Sequence, residues 1–261
     1  MIDTLLVVAL AGLVVVVVAM ALTALAAWRT ERIAIVDVTW GLLFVAIAWT
    51  ALAVGDASAR SWLLAVLVTV WGGRLAWHTG SRFARADQED PRYEEMLGDG
   101  PIGGRLALAA RKVFAVQGGA AWFIALPLMV AAATDRPLGL VAALGGLVWL
   151  VGLVFETLGD AQLKAFKADP ANKGKVMDRG LWAWTRHPNY FGDACMWWGL
   201  WIIAAEAWPG VLTVLSPVAM TYFLAFATGA RLLERDMAKR PGYPEYMERT
   251  SMFFPLPPKR S

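Results

Sequence analysis

Long apolar runs separated by short polar ones pattern this chain from end to end. Seven runs stand out, at residues 4–28, 33–54, 62–80, 113–133, 138–158, 188–207 and 210–230. Each approaches or exceeds the roughly 20 residues that a helix needs to cross the hydrocarbon core of a bilayer. In lipid every backbone N–H and C=O must be satisfied internally, which makes the helix the expected form of such runs. Pro137, Pro188 and Pro209-Gly210 punctuate the boundaries. The pattern predicts an all-α integral membrane protein with about seven transmembrane helices. No Lys or Arg precedes the first run, so it reads as a first membrane helix, not a cleaved signal peptide with a basic leader.

Charge adds an orientation. The chain is 58% hydrophobic and 17% charged, against about a quarter charged in soluble domains. Of its 24 Lys and Arg, 21 fall in residues 29–32, 79–112, 159–187 and 231–261. The intervening loops hold only Arg60 and Arg136, and Arg74 lies inside the third run. The positive-inside rule then places the N-terminus outside and the C-terminus in the cytoplasm, in agreement with an odd span count. We expect a multi-pass protein of the plasma (inner) membrane, in contact with membrane lipids, with no nucleic-acid partner. There is no internal repeat, and residues 1–261 read as a single membrane domain. One cysteine (Cys195) and two histidines leave no intramolecular disulfide and no expected metal site.

The polar residues inside this apolar frame are patterned too. Arg74, His78, Arg82 and Arg85 are spaced four, four and three apart, and so are Glu156, Asp160, Lys164 and Lys167. Such spacing puts each set on one helix face. Asn189 and Asp193 share a face at the start of the sixth run, Arg231 and Arg235 stand at the end of the seventh, and Asp37 lies just inside the second. Ionisable groups at that depth are costly and are kept mainly to bind or transform something. The plainer reading is also available: Lys and Arg at helix ends snorkel to headgroups, Glu156 to Lys164 pair along the helix, and Asn189 caps one. Headgroup binding accounts poorly for the carboxylates. Converging Arg and Lys suit a phosphorylated ligand. Residues 98–103 match the string G-x-G-x-x-G, but no strand precedes it and Pro101 interrupts it, so it reads as a loop turn.

The densest cluster is Leu181-Trp-Ala-Trp-Thr-Arg-His-Pro-Asn-Tyr-Phe-Gly-Asp193. With Glu156, Gly180, Arg231-Leu-Leu-Glu-Arg-Asp236, Arg240-Pro-Gly-Tyr-Pro-Glu-Tyr246, Phe253-Phe-Pro255 and Asp90-Pro-Arg-Tyr93, it resembles the bacterial members of the steroid 5α-reductase family, over residues 80–255 at least. The resemblance implies a membrane reductase that uses NADPH to saturate a carbon–carbon double bond conjugated to a carbonyl. It implies substrate-side helices and a cytoplasmic loop in residues 1–112, and cofactor-binding helices and tail in 113–261. Cofactor-binding positions carried over are Glu156 (where the family has Asn), Asp160, Lys164, Lys167, Lys175, Arg186, His187, Asn189, Tyr190, Asp193, Arg231 and Arg235. For the family's catalytic acid and tyrosine, Asp37 takes the place of the acid, with His78 or Tyr93 as its partner.

The chemistry then expected is hydride transfer to the β-carbon of an enone, with a hydrogen-bond donor on the carbonyl oxygen where negative charge develops. The substrate would be a hydrophobic small molecule, a 3-oxo-Δ4-steroid or another enone lipid. Two other readings stand beside it. Isoprenylcysteine carboxyl and phospholipid methyltransferases, which use S-adenosylmethionine, share the Arg-His-Pro-x-Tyr-x-Gly pattern and a late Glu. A scaffold whose basic loops hold anionic lipid is the non-enzymatic alternative.

Overall fold

The structure is a computed structural model that describes residues 1–98 and 100–259. It is helical throughout: among the described residues the only β pairing is an isolated bridge between Thr185 and Ser251. Four helical stretches are long and apolar enough to cross a membrane, Ile2–Thr30, Ile35–Val54, Leu140–Ala168 and Gly210–Met237. The other three apolar runs are helical but fall short of that. Arg74, His78 and three glycines dilute the third. The fourth is broken into short pieces. The sixth occupies an 18-residue helix that opens with Asn189 and Asp193. Four of the seven expected spans thus meet the length and composition of a membrane-crossing helix.

The chain divides into two compact units. The first comprises Met1–Gly139 with Ala204–Thr213. It contains α1 (Ile2–Thr30), α2 (Ile35–Val54), α3 (Ala59–Arg85), α4 (Pro91–Leu97), α5 (Ile102–Ala109), α6 (Ala115–Ile124) and α7 (Leu126–Ala131). Helix α1 buries Val8, Gly12, Val16, Met20, Thr23 and Ala27, a stripe repeating every three or four residues, and exposes Leu6, Leu10, Val14, Val17 and Leu22. The stripe packs inward; the branched face suits lipid. At the contact of α2 with α3, Gly41 and Gly72 meet backbone to backbone. A Cβ on either would lie 2.5 Å from the other's carbonyl oxygen.

Local signals explain the ends. Ser58 caps α3, accepting from Ser61 N, and Asp90 caps α4 with Pro91 at the first turn. Two long-range caps join them. Arg32 donates to the carbonyls of Phe83 (2.9 Å) and Ala86 (2.7 Å) at the end of α3, and Glu89 accepts from Ile33 N (2.5 Å) and Ala34 N (3.0 Å) at the start of α2. Elsewhere in this unit fully buried Arg60 donates to Pro137 O (2.9 Å) and Glu206 (3.1 Å), which also accepts from Gly139 N. Residues 110–114 form a π turn between α5 and α6.

The second unit comprises Leu140–Ile203 with Val214–Ser261. It is built on α8 (Leu140–Ala168) and α9 (Pro188–Ala205), with α10 (Leu215–Tyr222), α11 (Ala230–Met237) and α12 (Tyr243–Arg249). Glycines seven apart bring α8 and α9 together. A Cβ on Gly145 would lie 2.7 Å from Gly199 O, and one on Gly192 would lie 2.5 Å from Glu156 N. Gly146 faces open space, so only one member of that glycine pair serves the contact. A second π turn, Phe223–Ala227, precedes α11.

Candidate functional site

In the first unit the capped loop delivers Tyr93 to Asp37. Asp37 lies in the first turn of α2 and Tyr93 on α4. Tyr93 Oη donates to Asp37 Oδ1 at 2.6 Å, and Arg92 Nη2 donates to Asp37 Oδ2 at 2.7 Å. Arg92 is itself clamped by Asp90, whose two oxygens accept from its Nε and Nη2 at 2.9 Å each. Gln117 on α6 donates its amide to Tyr93 Oη at 3.3 Å. Tyr93 is buried. Burial first, and the Asp37 charge second, push its phenol well above the ordinary tyrosine range. The hydrogen bonds to Arg92 outweigh burial and hold the Asp90 carboxyl below its usual range. Tyr93 is therefore a neutral hydroxyl donor at any physiological pH, seated on a carboxylate. A crevice of about 180 Å³ beside it is lined by Asp37, Thr79, Arg82, Gln88 and Asp90. His78, the other partner named for Asp37, lies exposed on α3 without a hydrogen bond to it. Of the G-x-G-x-x-G string, Asp99 lies outside the described residues, Gly98 ends α4 in a left-handed conformation, and Pro101 caps α5.

In the second unit the cationic motif is engaged with Glu234. Arg186 is buried. It grips Glu234 with Nε (2.6 Å) and Nη2 (2.9 Å), and Nη1 donates to the carbonyls of Met247 (2.9 Å) and Thr250. A guanidinium has five N–H groups, so little of it is left for a ligand phosphate. His187 Nε2 shares Glu234 Oε1 at 3.0 Å, and its ring stacks on Tyr190. These residues tie the loop before α9 to α11 and the tail. The tie is reinforced by Arg186 N on Ser251 O (2.9 Å) and by Thr185 Oγ1 on Phe253 O (2.9 Å).

The remaining expected cofactor residues lie along α8, the turn after it and α9. Asn189 Nδ2 donates to Asp160 Oδ1 at 3.3 Å. Glu156 and Asp193 are buried. Lys164, Lys167 and Lys175 are exposed, and among the described residues their side chains have no carboxylate partner. The same holds for Arg231 and Arg235, which line a cavity of about 480 Å³ with Phe226, Met247 and Met252. A nicotinamide dinucleotide phosphate fits this donor set in part. Lys164, Lys167, Lys175, Arg231 and Arg235, without a carboxylate partner among the described residues, suit phosphates, and Asp160 and Asn189, which bond each other, add a carboxylate and an amide. Arg186 and His187 are already spent on Glu234.

Gln117 was missed in the sequence, although a signal existed. It is the sole amide or charged side chain in residues 113–133, and a lone polar group in a membrane run needs a partner.

Residues 24–250 match the family model described as Protein of unknown function (DUF1295), and the chain belongs to that family. Over 48 residues it is 46% identical to a probable O-methyltransferase, ustE, of Ustilaginoidea virens; the match covers 18% of this chain and 17% of that protein. No solved structure matches the chain.

Proposed function

We propose that this DUF1295 chain is a membrane-embedded, NADPH-dependent reductase of a carbon–carbon double bond conjugated to a carbonyl, in a steroid-like or other enone lipid. The proposal includes seven spans, with the N-terminus outside and the basic loops in the cytoplasm. The observation that carries it is the 2.6 Å bond from Tyr93 Oη to Asp37 Oδ1. A buried, neutral phenol held on a carboxylate is the donor that enone reduction needs at the carbonyl oxygen.

The hydride for the β-carbon would come from bound NADPH, and the proton that the α-carbon takes to complete the saturation would come from water. As negative charge builds on the substrate oxygen, Tyr93 turns its hydroxyl hydrogen from Asp37 to that oxygen. Asp37, kept in place by Arg92, orients the phenol and receives its hydrogen bond again after turnover. Burial of the Tyr93 side chain limits the water that competes for its hydroxyl. Asp160 with Asn189 would hold the polar parts of the cofactor, and Lys164, Lys167 and Lys175 its phosphates. The test is saturation of a 3-oxo-Δ4-steroid by detergent-purified protein with NADPH, read as product by mass spectrometry. We expect product from the wild type and almost none from Tyr93→Phe. Equal product from both would remove Tyr93 from the mechanism.

A second reading has one observation of its own. The 48-residue likeness to a protein named as a probable O-methyltransferase fits S-adenosylmethionine-dependent methyl transfer. The unpaired Lys164, Lys167 and Lys175 favour a phosphorylated cofactor over that one, which carries no phosphate.

A further inference from the structure

Gln117 stands apart from everything around it. Its neighbours from Val113 to Ala133 are apolar or glycine. Val116 before it is exposed, and Gly118 after it is pressed against α1, where a Cβ would lie 2.9 Å from Val16 and 3.1 Å from Met20. An amide on such a helix has to find a partner in the protein, because lipid offers none. Its partner is the Tyr93 hydroxyl, at 3.3 Å.

The backbone is arranged for that contact. The helix that carries Gln117 does not run as one α-helix from Ile102 to Ile124. It opens into a π turn at Ala110–Phe114, just ahead of Gln117. A π turn accommodates one extra residue, and such turns occur frequently at functional sites. One residue is about 100° of helix rotation. Both α5 and α6 pack on α1, and the turn between them sets the direction of Gln117 relative to α5. Tyr93 Oη has one hydrogen to give and lone pairs to accept with. Asp37 takes the hydrogen, and Gln117 occupies a lone pair from another side. Two bonds of opposite sense fix the rotation of the phenol where one would leave it free to swing.

We infer that Gln117, aimed by the π turn at Ala110–Phe114, is a positioning residue that holds the Tyr93 hydroxyl on Asp37. This rests on the reductase reading for its role in turnover, though not for the contact itself. Gln117 is not a catalytic residue, since it acts through Tyr93.

The test uses full-length protein in detergent, labelled with ¹³C at the phenolic carbon of tyrosine. The Tyr93 resonance is assigned by its loss in Tyr93→Phe. Gln117→Met keeps the size and flexibility of the side chain and removes the donor; Gln117→Leu serves if the first variant is poorly folded. We expect the Tyr93 signal of either variant to move part-way to its position in Asp37→Asn, as the hold on Asp37 loosens. A signal that stays at its wild-type position in a folded variant overturns the inference. In an enone reduction assay, kcat should fall roughly ten- to hundredfold, the scale of a misplaced reacting group, with NADPH affinity unchanged. The same fall in a Tyr93→Phe background would overturn the inference, because Gln117 would then act on something else. Failure of the reductase reading shows separately, as wild-type protein that does not bind NADPH.

Discussion

Arg186 and Glu234, 48 residues apart in sequence, form a buried two-point ion pair whose carboxylate also holds His187. The pair fastens the Arg-His-Pro loop at the head of α9 to α11, and the third guanidinium nitrogen, Nη1, fastens it to the end of α12. Removing one partner leaves an uncompensated charge in a dry place. Glu234→Gln or Arg186→Met should therefore destabilise the second unit by about 3–5 kcal/mol. Limited proteolysis should then cut residues 238–255 much faster than in the wild type. Unchanged proteolysis would show that the tail is held by other contacts.

Asp37 and Tyr93 should separate chemistry from binding. Asp37→Asn and Tyr93→Phe should each lower kcat for enone reduction by about 10²–10³, the scale seen when an oxyanion donor is removed. Affinity for NADPH should change little, because these residues stabilise the developing oxyanion and leave the ground-state cofactor contacts intact. Steady-state kinetics with a parallel cofactor titration would separate the two. A variant that lost cofactor affinity in step with kcat would assign the pair to binding.

The same loop fixes a pH window. The folded Tyr93 phenol lies well above the ordinary tyrosine range, because burial and the Asp37 charge disfavour its anion. Its contribution to stability is then fully present below about pH 10 and is lost as pH rises beyond it, because the unfolded chain gives up its proton first. The Asp90 carboxyl lies below the ordinary aspartate value of about 3.9 when folded. Its contribution is present above that value and lost as pH falls, because the unfolded chain takes up a proton first. Thermal melts across pH should show the wild-type advantage over Tyr93→Phe shrinking only on the alkaline limb. The advantage over Asp90→Asn should shrink only on the acid limb. Parallel curves would contradict these assignments.

Helix contact in the second unit depends on the absence of a Cβ at Gly145, Gly192 and Gly199. Gly192→Ala would drive a methyl against the backbone of Glu156 and should cost about 1–3 kcal/mol by overpacking. Gly146→Ala, with nothing within 4 Å, should be neutral or stabilising by up to about 1 kcal/mol. Denaturation in detergent compares the two directly.

Much of this architecture was legible in the sequence for a simple reason. Burial in lipid or protein forces helix on apolar runs, and all seven runs lie in helical stretches. Pro188 marked the start of α9 because proline suits the first turn of a helix. The pairing of Asp37 with Tyr93 was one of two options, and folding of the loop through Arg32 and Glu89 is what selects it over His78. Contacts set by tertiary geometry were not legible. Arg60 meets Glu206 across 146 residues, and no periodicity announces that. Arg186 looked like a ligand-binding cation because its partners, Glu234 and the carbonyls of Met247 and Thr250, come from helices later in the chain. The π turn ahead of Gln117 leaves no mark in composition, since its residues are ordinary helix formers.

The central claim is that the second unit binds a phosphorylated nicotinamide cofactor. The most direct measurement is a titration of detergent-purified protein with NADPH, NADH and S-adenosylmethionine side by side, with Asp160→Ala, Asn189→Ala and a Lys164→Ala/Lys167→Ala double variant in parallel. The account predicts micromolar binding of NADPH, weaker binding of NADH, and loss in all three variants. Binding of S-adenosylmethionine alone, unaffected by the lysine variant, would contradict it.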